Sequence, residues 1–208
     1  TNLVERKGII YIWTNKNLKS RNMEIKIRND LGVKQRLLSK EEVLDLEPNL
    51  NPVFDAGVIY DYAYHARDPK EITKKLFELF LKSGGNFKKE EVLNVEQIKY
   101  NQTQVKTNSE KFYFEKIVLA CGAFSKKLTD QLGENIPLDT ERGYHVHYKD
   151  MDHLLKRPVI FLDRGFGMTP MNQGLRAVGT VELGGFKNPI SKKRIDYIDK
   201  CAKELLPQ

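Results

Sequence analysis

Sulfur and indole are scarce in this chain of 208 residues, which carries two cysteines, four methionines and one tryptophan. Cys121 and Cys201 lie in different kinds of segment, with no CxxC spacing and no histidine beside them. That pattern argues against a disulfide framework and against a Cys/His metal site, so no metal is expected, and it points to a reducing compartment. Both thiols read as core residues. Long apolar runs are missing too, and none approaches the ~20 residues of a membrane-spanning helix. The first residues, TNLVERKG, have no secretory pattern. They also lack an initiator Met and lead at once into the strand-like run Gly8–Trp13, which reads as part of a longer protein.

Charge of one sign dominates only mildly. The net charge of +7 comes from lysines spread along the chain, and the two dense clusters, 34–40 and 187–194, contain or adjoin helix starts. Solvated helix faces account for them, and no nucleic-acid partner is expected. The nearest approach to a GxGxxG phosphate loop is Gly165–Pro170, GFGMTP. It lies between strand signals with no helix after it, so it lacks the context of a dinucleotide site.

What is present is a mixed order of elements. Strand patterns at 8–13, 34–38 and 56–60 are interleaved with a polar helix over 15–31 and a short helix opened by the capping box Ser39-Lys40-Glu41-Glu42. Asp68-Pro69-Lys70-Glu71 is a strong helix start, with Asp as cap and Pro in the first turn. Ile72, Leu76, Phe77, Leu79 and Phe80 form that helix's apolar face, and Gly84-Gly85 end it. Runs at 92–99, 103–107 and 111–115 predict an antiparallel meander. The apolar run Ile117–Ala120 then reads as a strand buried on both faces, breaking at Cys121-Gly122-Ala123 into a short helix that stops at Gly133. Strands follow at 143–148, 158–162, 166–171 and 175–181, and Ser191 caps a last helix. This is an α+β assembly with a mixed sheet.

Several segments, in order and nearly throughout the chain, resemble flavin-dependent D-amino acid dehydrogenases and oxidases of the glycine oxidase and sarcosine oxidase type. They include LSKEEVLDLEPNL (38–50), AGVIYDYAYHARDPKEITKKL (56–76), KIVLACGAFSKKL (116–128), IPLDTERGYHVHY (136–148) and GLRAVGTVE (174–182). The resemblance implies a mixed-sheet substrate domain, 1–64 and 136–208, with part of an α/β FAD domain, 65–135, inserted between. It implies FAD as cofactor of the complete enzyme and hydride transfer from the Cα–H of an amino acid to the flavin. Two departures stand out: the phosphate loop is absent, and so is the family's tail, whose arginine grips the substrate carboxylate. The 208 residues alone are therefore expected to hold no FAD, or only traces of it. A sarcosine or glycine oxidase using oxygen, and a binding module that works without flavin, remain the alternatives.

By the same resemblance, Val92, Ala120, Cys121 and Gly122 lie along the dinucleotide in the complete enzyme; without it they read as packing residues. Gly143–Tyr148 alternates as a strand, so His145 and His147 share one face and Tyr144 and Tyr148 the other. The resemblance puts that strand beneath flavin and substrate, where the two imidazoles could bond a carboxylate or the substrate amine. Phe166, Tyr64 and Arg142 complete the substrate candidates. No residue is singled out as catalytic. Where many relatives carry a substrate-binding Tyr, this chain has Gly167. The expected partner is a small amino acid, the electron acceptor is open, and the expected location is cytoplasmic, with peripheral contact to the inner membrane left open.

Overall fold

The computed structural model describes residues 3–15 and 18–207. Seventeen strands and α-helices are formed among them: β1 Val4–Glu5, β2 Ile9–Trp13, α1 Leu18–Asp30, β3 Arg36–Ser39, α2 Lys40–Leu46, β4 Ala56–Tyr60, β5 His65–Ala66 and α3 Pro69–Lys82 open the chain. β6 Val92–Lys99, β7 Gln102–Thr107, β8 Lys111–Phe114, α4 Ser125–Thr129, β9 Arg142–Lys149, β10 Val159–Phe161, β11 Phe166–Met171, β12 Gly174–Glu182 and α5 Lys192–Leu205 follow. The chain divides into two compact units, one of Thr1–Phe77, Arg142–Glu182 and Pro189–Gln208, the other of Glu78–Glu141 and Leu183–Asn188. The mixed α+β architecture read from the sequence is the one observed. No described helix is long and apolar enough to cross a membrane.

The first unit is built on a seven-stranded sheet of order β3-β4-β2-β10-β11-β12-β9. Only β10 and β2 run parallel; every other pair is antiparallel. One face carries the core. Ile10, Ile12, Ile59, Val159, Phe161, Phe166, Met168, Leu175 and Ala177 point to it, and α5 covers β9, β11 and β12 with Ile198, Cys201, Ala202 and Leu205. These are the alternate residues of each strand and one stripe of the helix, as the two periodicities require.

Local signals act as the sequence predicts at several ends. Ser39 and Glu42 close both bonds of the capping box at 3.2 and 2.8 Å. Asp68 accepts the Glu71 N–H at 3.1 Å. Gly84 leaves α3 with φ +87, a left-handed conformation that glycine adopts without strain. Ser191 is the N-cap residue of α5, as expected, but its hydroxyl makes no capping bond, and its N–H donates to the Tyr144 hydroxyl at 3.1 Å. Gly174 closes the β11–β12 hairpin at φ +134, where a Cβ would strike the main chain of Tyr148 and Lys149.

In the second unit β6, β7 and β8 form the expected antiparallel meander, with Val95 opposite Val105 and Val105 opposite Phe112. Gln131 docks the following turn on it, accepting from Val95 N–H at 2.9 Å. Residues 116–121 do not form the doubly buried strand that the apolar run suggests. They have no regular structure, and Val118 is 89% exposed. A buried strand needs hydrogen-bonding neighbours along both edges, and no described strand lies beside this one. Cys121 is likewise exposed, not a core thiol; Cys201 is buried as expected. The apolar stripe of α3 is also uncovered, with Leu76, Leu79 and Phe80 exposed.

His65 gives the fold a pH dependence. It is 7% exposed, both ring nitrogens lack a hydrogen-bond partner, and the nearest carboxylate oxygen, of Glu5, is 3.7 Å away. Burial pushes its pKa below the ordinary value, against the opposing pull of Glu5. The unfolded chain takes up the proton at about 6.5 while the folded chain resists it, so stability falls as pH drops through that value. His145 is shifted the same way and adds to the slope. Urea midpoints measured from about pH 7.5 to about pH 5.5 should therefore decline, and His65→Gln should flatten the decline. An equally steep decline in the variant would show that His65 is not a source of it.

Candidate functional site

The sheet face opposite the core bears the candidate site. Period-two alternation puts His145 and His147 of β9 on this face, and Tyr144 and Tyr148 on the other. The register then adds a residue from the next strand: Arg176 of β12 lies directly opposite His147, and Val178 opposite His145. Arg67, just before α3, and Lys70, in its first turn, add to the lining. Together with Met171 and Gln173 of the β11–β12 hairpin they bound a cavity of about 280 Å³. That volume is at the small end for ligand pockets and suits a small molecule.

The polar groups are held in defined states. His147 Nε2 is 2.9 Å from the Gln173 carbonyl oxygen, which only accepts, so Nε2 carries the proton and Nδ1 is the acceptor in the neutral ring. His145 Nδ1 lies 3.4 Å from an Arg176 guanidinium nitrogen. Burial first, then Arg176 and His147, push the His145 pKa down, so its ring is neutral near pH 7. Arg67 is already engaged, by Asp152 at 3.1 Å and Asn172 at 3.1 Å. The Nε of Arg176 is sealed from solvent and has no hydrogen-bond partner.

The other substrate candidates lie elsewhere. Phe166 is 2% exposed and faces the core, because β11 presents Phe166, Met168 and Pro170 on the side away from the histidines. Gly167 does lie on the histidine face, and Ile160 Cδ1 fills the space its missing Cβ leaves. Tyr64 is 57% exposed and stacks under Arg6, away from the cavity lining. Arg142 bonds Glu182 at 3.3 Å and the Pro189 carbonyl at 3.2 Å. Glu182 also accepts from Tyr144 at 2.6 Å, so Arg142 belongs to a network that ties β9 and β12 to the start of α5. The sequence reading missed Arg67, Lys70 and Arg176. For Arg176 the signal was there: Leu175, Arg176 and Ala177 alternate apolar, charged, apolar.

Of the four cofactor candidates, the second unit brings two together. Val92 and Cys121 line one apolar cleft of about 310 Å³, along with Val95, Phe114, Ile117 and Leu119. Ala120 and Gly122 are not part of its wall. Gly122 adopts φ +56, with open space where a Cβ would stand. The lining of the cleft is largely apolar. Among the described residues no glycine turn leads from a strand into a helix of useful length, so no phosphate cradle accompanies it. No cluster of metal-ligating side chains occurs among the described residues.

Comparison with known proteins agrees with this architecture. The family model described as FAD dependent oxidoreductase matches residues 2–208. The chain belongs to that family of flavin enzymes, whose cofactor is FAD. It is 29% identical over 206 residues to a D-amino-acid oxidase of Bradyrhizobium diazoefficiens, covering 99% of this chain and 49% of that protein. It is 25% identical over 222 residues to a D-amino acid dehydrogenase of Vibrio atlanticus, covering 98% of this chain and 50% of the relative. The crystal structure of a glycine oxidase from Bacillus cereus superposes with a TM-score of 0.84 at 26% identity, over 99% of this chain and 56% of that one. The chain spans about half the length of the curated relatives it matches.

Proposed function

We propose that the chain is part of an FAD-dependent oxidoreductase that oxidises the amine carbon of a D-amino acid or a related amino acid to an imine. In this reading residues 1–64 and 136–208 belong to the substrate domain and residues 65–135 to the FAD domain. The observation that supports this most is the cavity on the open sheet face, where two imidazoles and a partly unsatisfied guanidinium meet in a space of amino-acid size.

FAD, when bound, supplies the ring that accepts the hydride from the substrate Cα. Val92 and Cys121 are the residues that would hold its base end. The rest of the work is binding and proton placement by this chain. Arg176 gives the cavity a positive charge. His147, with Nε2–H committed to Gln173, offers Nδ1 as acceptor to the substrate ammonium, which must shed a proton before the Cα–H can leave as hydride. His145, kept neutral by burial and by Arg176, does not repel that ammonium. Positioning of this kind, without a covalent nucleophile or metal, is what a flavin reaction asks of the protein.

The test uses the complete polypeptide purified with its flavin. Anaerobic mixing with a panel of D-amino acids should bleach the flavin absorption. His145→Ala should lower kcat/KM by about tenfold or more while flavin content stays intact. No bleaching by any amino acid would defeat the reading. Unchanged kinetics with a lowered melting temperature would leave His145 a structural residue only.

A further inference from the structure

We propose that the Arg176 cavity selects an acidic substrate: the side-chain carboxylate of an acidic amino acid docks on the Arg176 guanidinium beside His145. The inference rests on the amino-acid reading above and adds its substrate class. It starts from a buried donor. Arg176 Nε is shut off from solvent and bonds nothing, a state that is costly for a charged group. The neighbouring guanidinium nitrogen has only the long 3.4 Å contact with His145 Nδ1. The sealed Nε is out of direct reach of a ligand, but Arg176 lines the cavity, where an anion held by the accessible part of its guanidinium offsets the poorly compensated charge. With Nδ1 of His145 facing the guanidinium, its proton sits on Nε2, which adds a donor to the same cavity.

The charge balance leads to the same ligand. Arg67, Lys70 and Arg176 line the cavity, against the single carboxylate of Asp68. Asp152 already neutralises Arg67. Asp68 is occupied in part with capping α3. One positive charge is therefore left over. A neutral amino acid is a zwitterion and brings no net charge to offset it, whereas an acidic one brings a negative charge. Complementarity of this kind discriminates between ligands of equal size. The small cavity also excludes bulkier anions.

The decisive pair is D-glutamate and D-glutamine, which share a shape and differ in charge. In the complete, flavin-loaded protein kcat/KM should favour glutamate by about tenfold or more, the worth of one charged hydrogen-bonded contact. Arg176→Leu and Arg176→Gln should bring the ratio toward one with flavin content unchanged, and Arg176→Lys should keep part of it. Glutarate, titrated by calorimetry, gives a readout apart from turnover: the wild type should bind it, and Arg176→Leu and Arg176→Gln should not. If no amino acid is oxidised, glutarate binding that depends on Arg176 still upholds the anion site, and only the redox reading fails. If neutral amino acids are oxidised but glutamate has no advantage, or glutarate is not bound, the redox reading stands and this inference falls.

Discussion

Glu47→Ala is expected to destabilise the folded chain by about 3–5 kcal/mol, enough to cost a domain of this size much of its stability. Glu47 is 1% exposed and ends α2. Its two carboxylate oxygens accept from Arg157 Nε and from Lys156 N–H, each at 2.9 Å. One side chain thus bonds the end of α2 to the chain entering β10. Neighbouring bonds run the same way, from Asn49 Nδ2 to the Leu154 carbonyl and from Asn51 Nδ2 to the Glu204 carbonyl, each at 3.0 Å. Truncation leaves the Arg157 guanidinium half sealed without a counter-ion, and that orphaned charge is the main source of the loss. Burial pushes the Glu47 pKa up despite the Lys156 and Arg157 bonds, so the ion pair itself is not a large net gain. It follows that the double replacement Glu47→Leu with Arg157→Met should recover most of the lost stability. Urea unfolding monitored by circular dichroism measures both. A single variant that loses less than about 1 kcal/mol would show that water or a rearranged side chain takes over the role.

Phe166→Ala should cost a similar amount, about 3–5 kcal/mol, and Phe166→Leu less than about 1.5 kcal/mol. Phe166 is fully enclosed, opposite Phe161 on β10 and Gly179 on β12. Removing the ring opens a cavity that neighbours cannot close, because the main chain on both sides is held in the sheet. The conservative replacement keeps most of the volume. If Phe166 instead contacted substrate, Phe166→Leu would change kcat/KM among amino acids with little loss of stability. That outcome would return it to the binding site.

The two residues illustrate how far the sequence could be read. Its local signals were dependable. The capping box at Ser39, the Asp68 helix start and the meander all form as the residue pattern requires, because each depends on neighbours within a few positions. The sharing of a face by His145 and His147 was equally legible, since alternation along a strand follows from backbone geometry alone. Phe166 defeated the same logic because alternation tells which residues share a face, not which face meets the core. That choice came from α5, which covers the side bearing Phe166, Met168 and Ala177.

The run at 116–121 failed for a related reason. Apolar composition gives a segment the capacity to be a buried strand, but a strand exists only when another backbone takes its hydrogen bonds. The candidate site lies mostly on this nonlocal side. Apart from that run, most strand and helix positions, the caps at Ser39 and Asp68, and the sharing of one face by the histidines were determined by the sequence itself, through steric and hydrogen-bonding rules that act over a few residues. Only the tertiary structure set Arg176 across from His147 and brought Arg67 and Lys70 to the same cavity. Register between strands far apart in the chain is decided by which faces can be buried together, and no single strand carries that information.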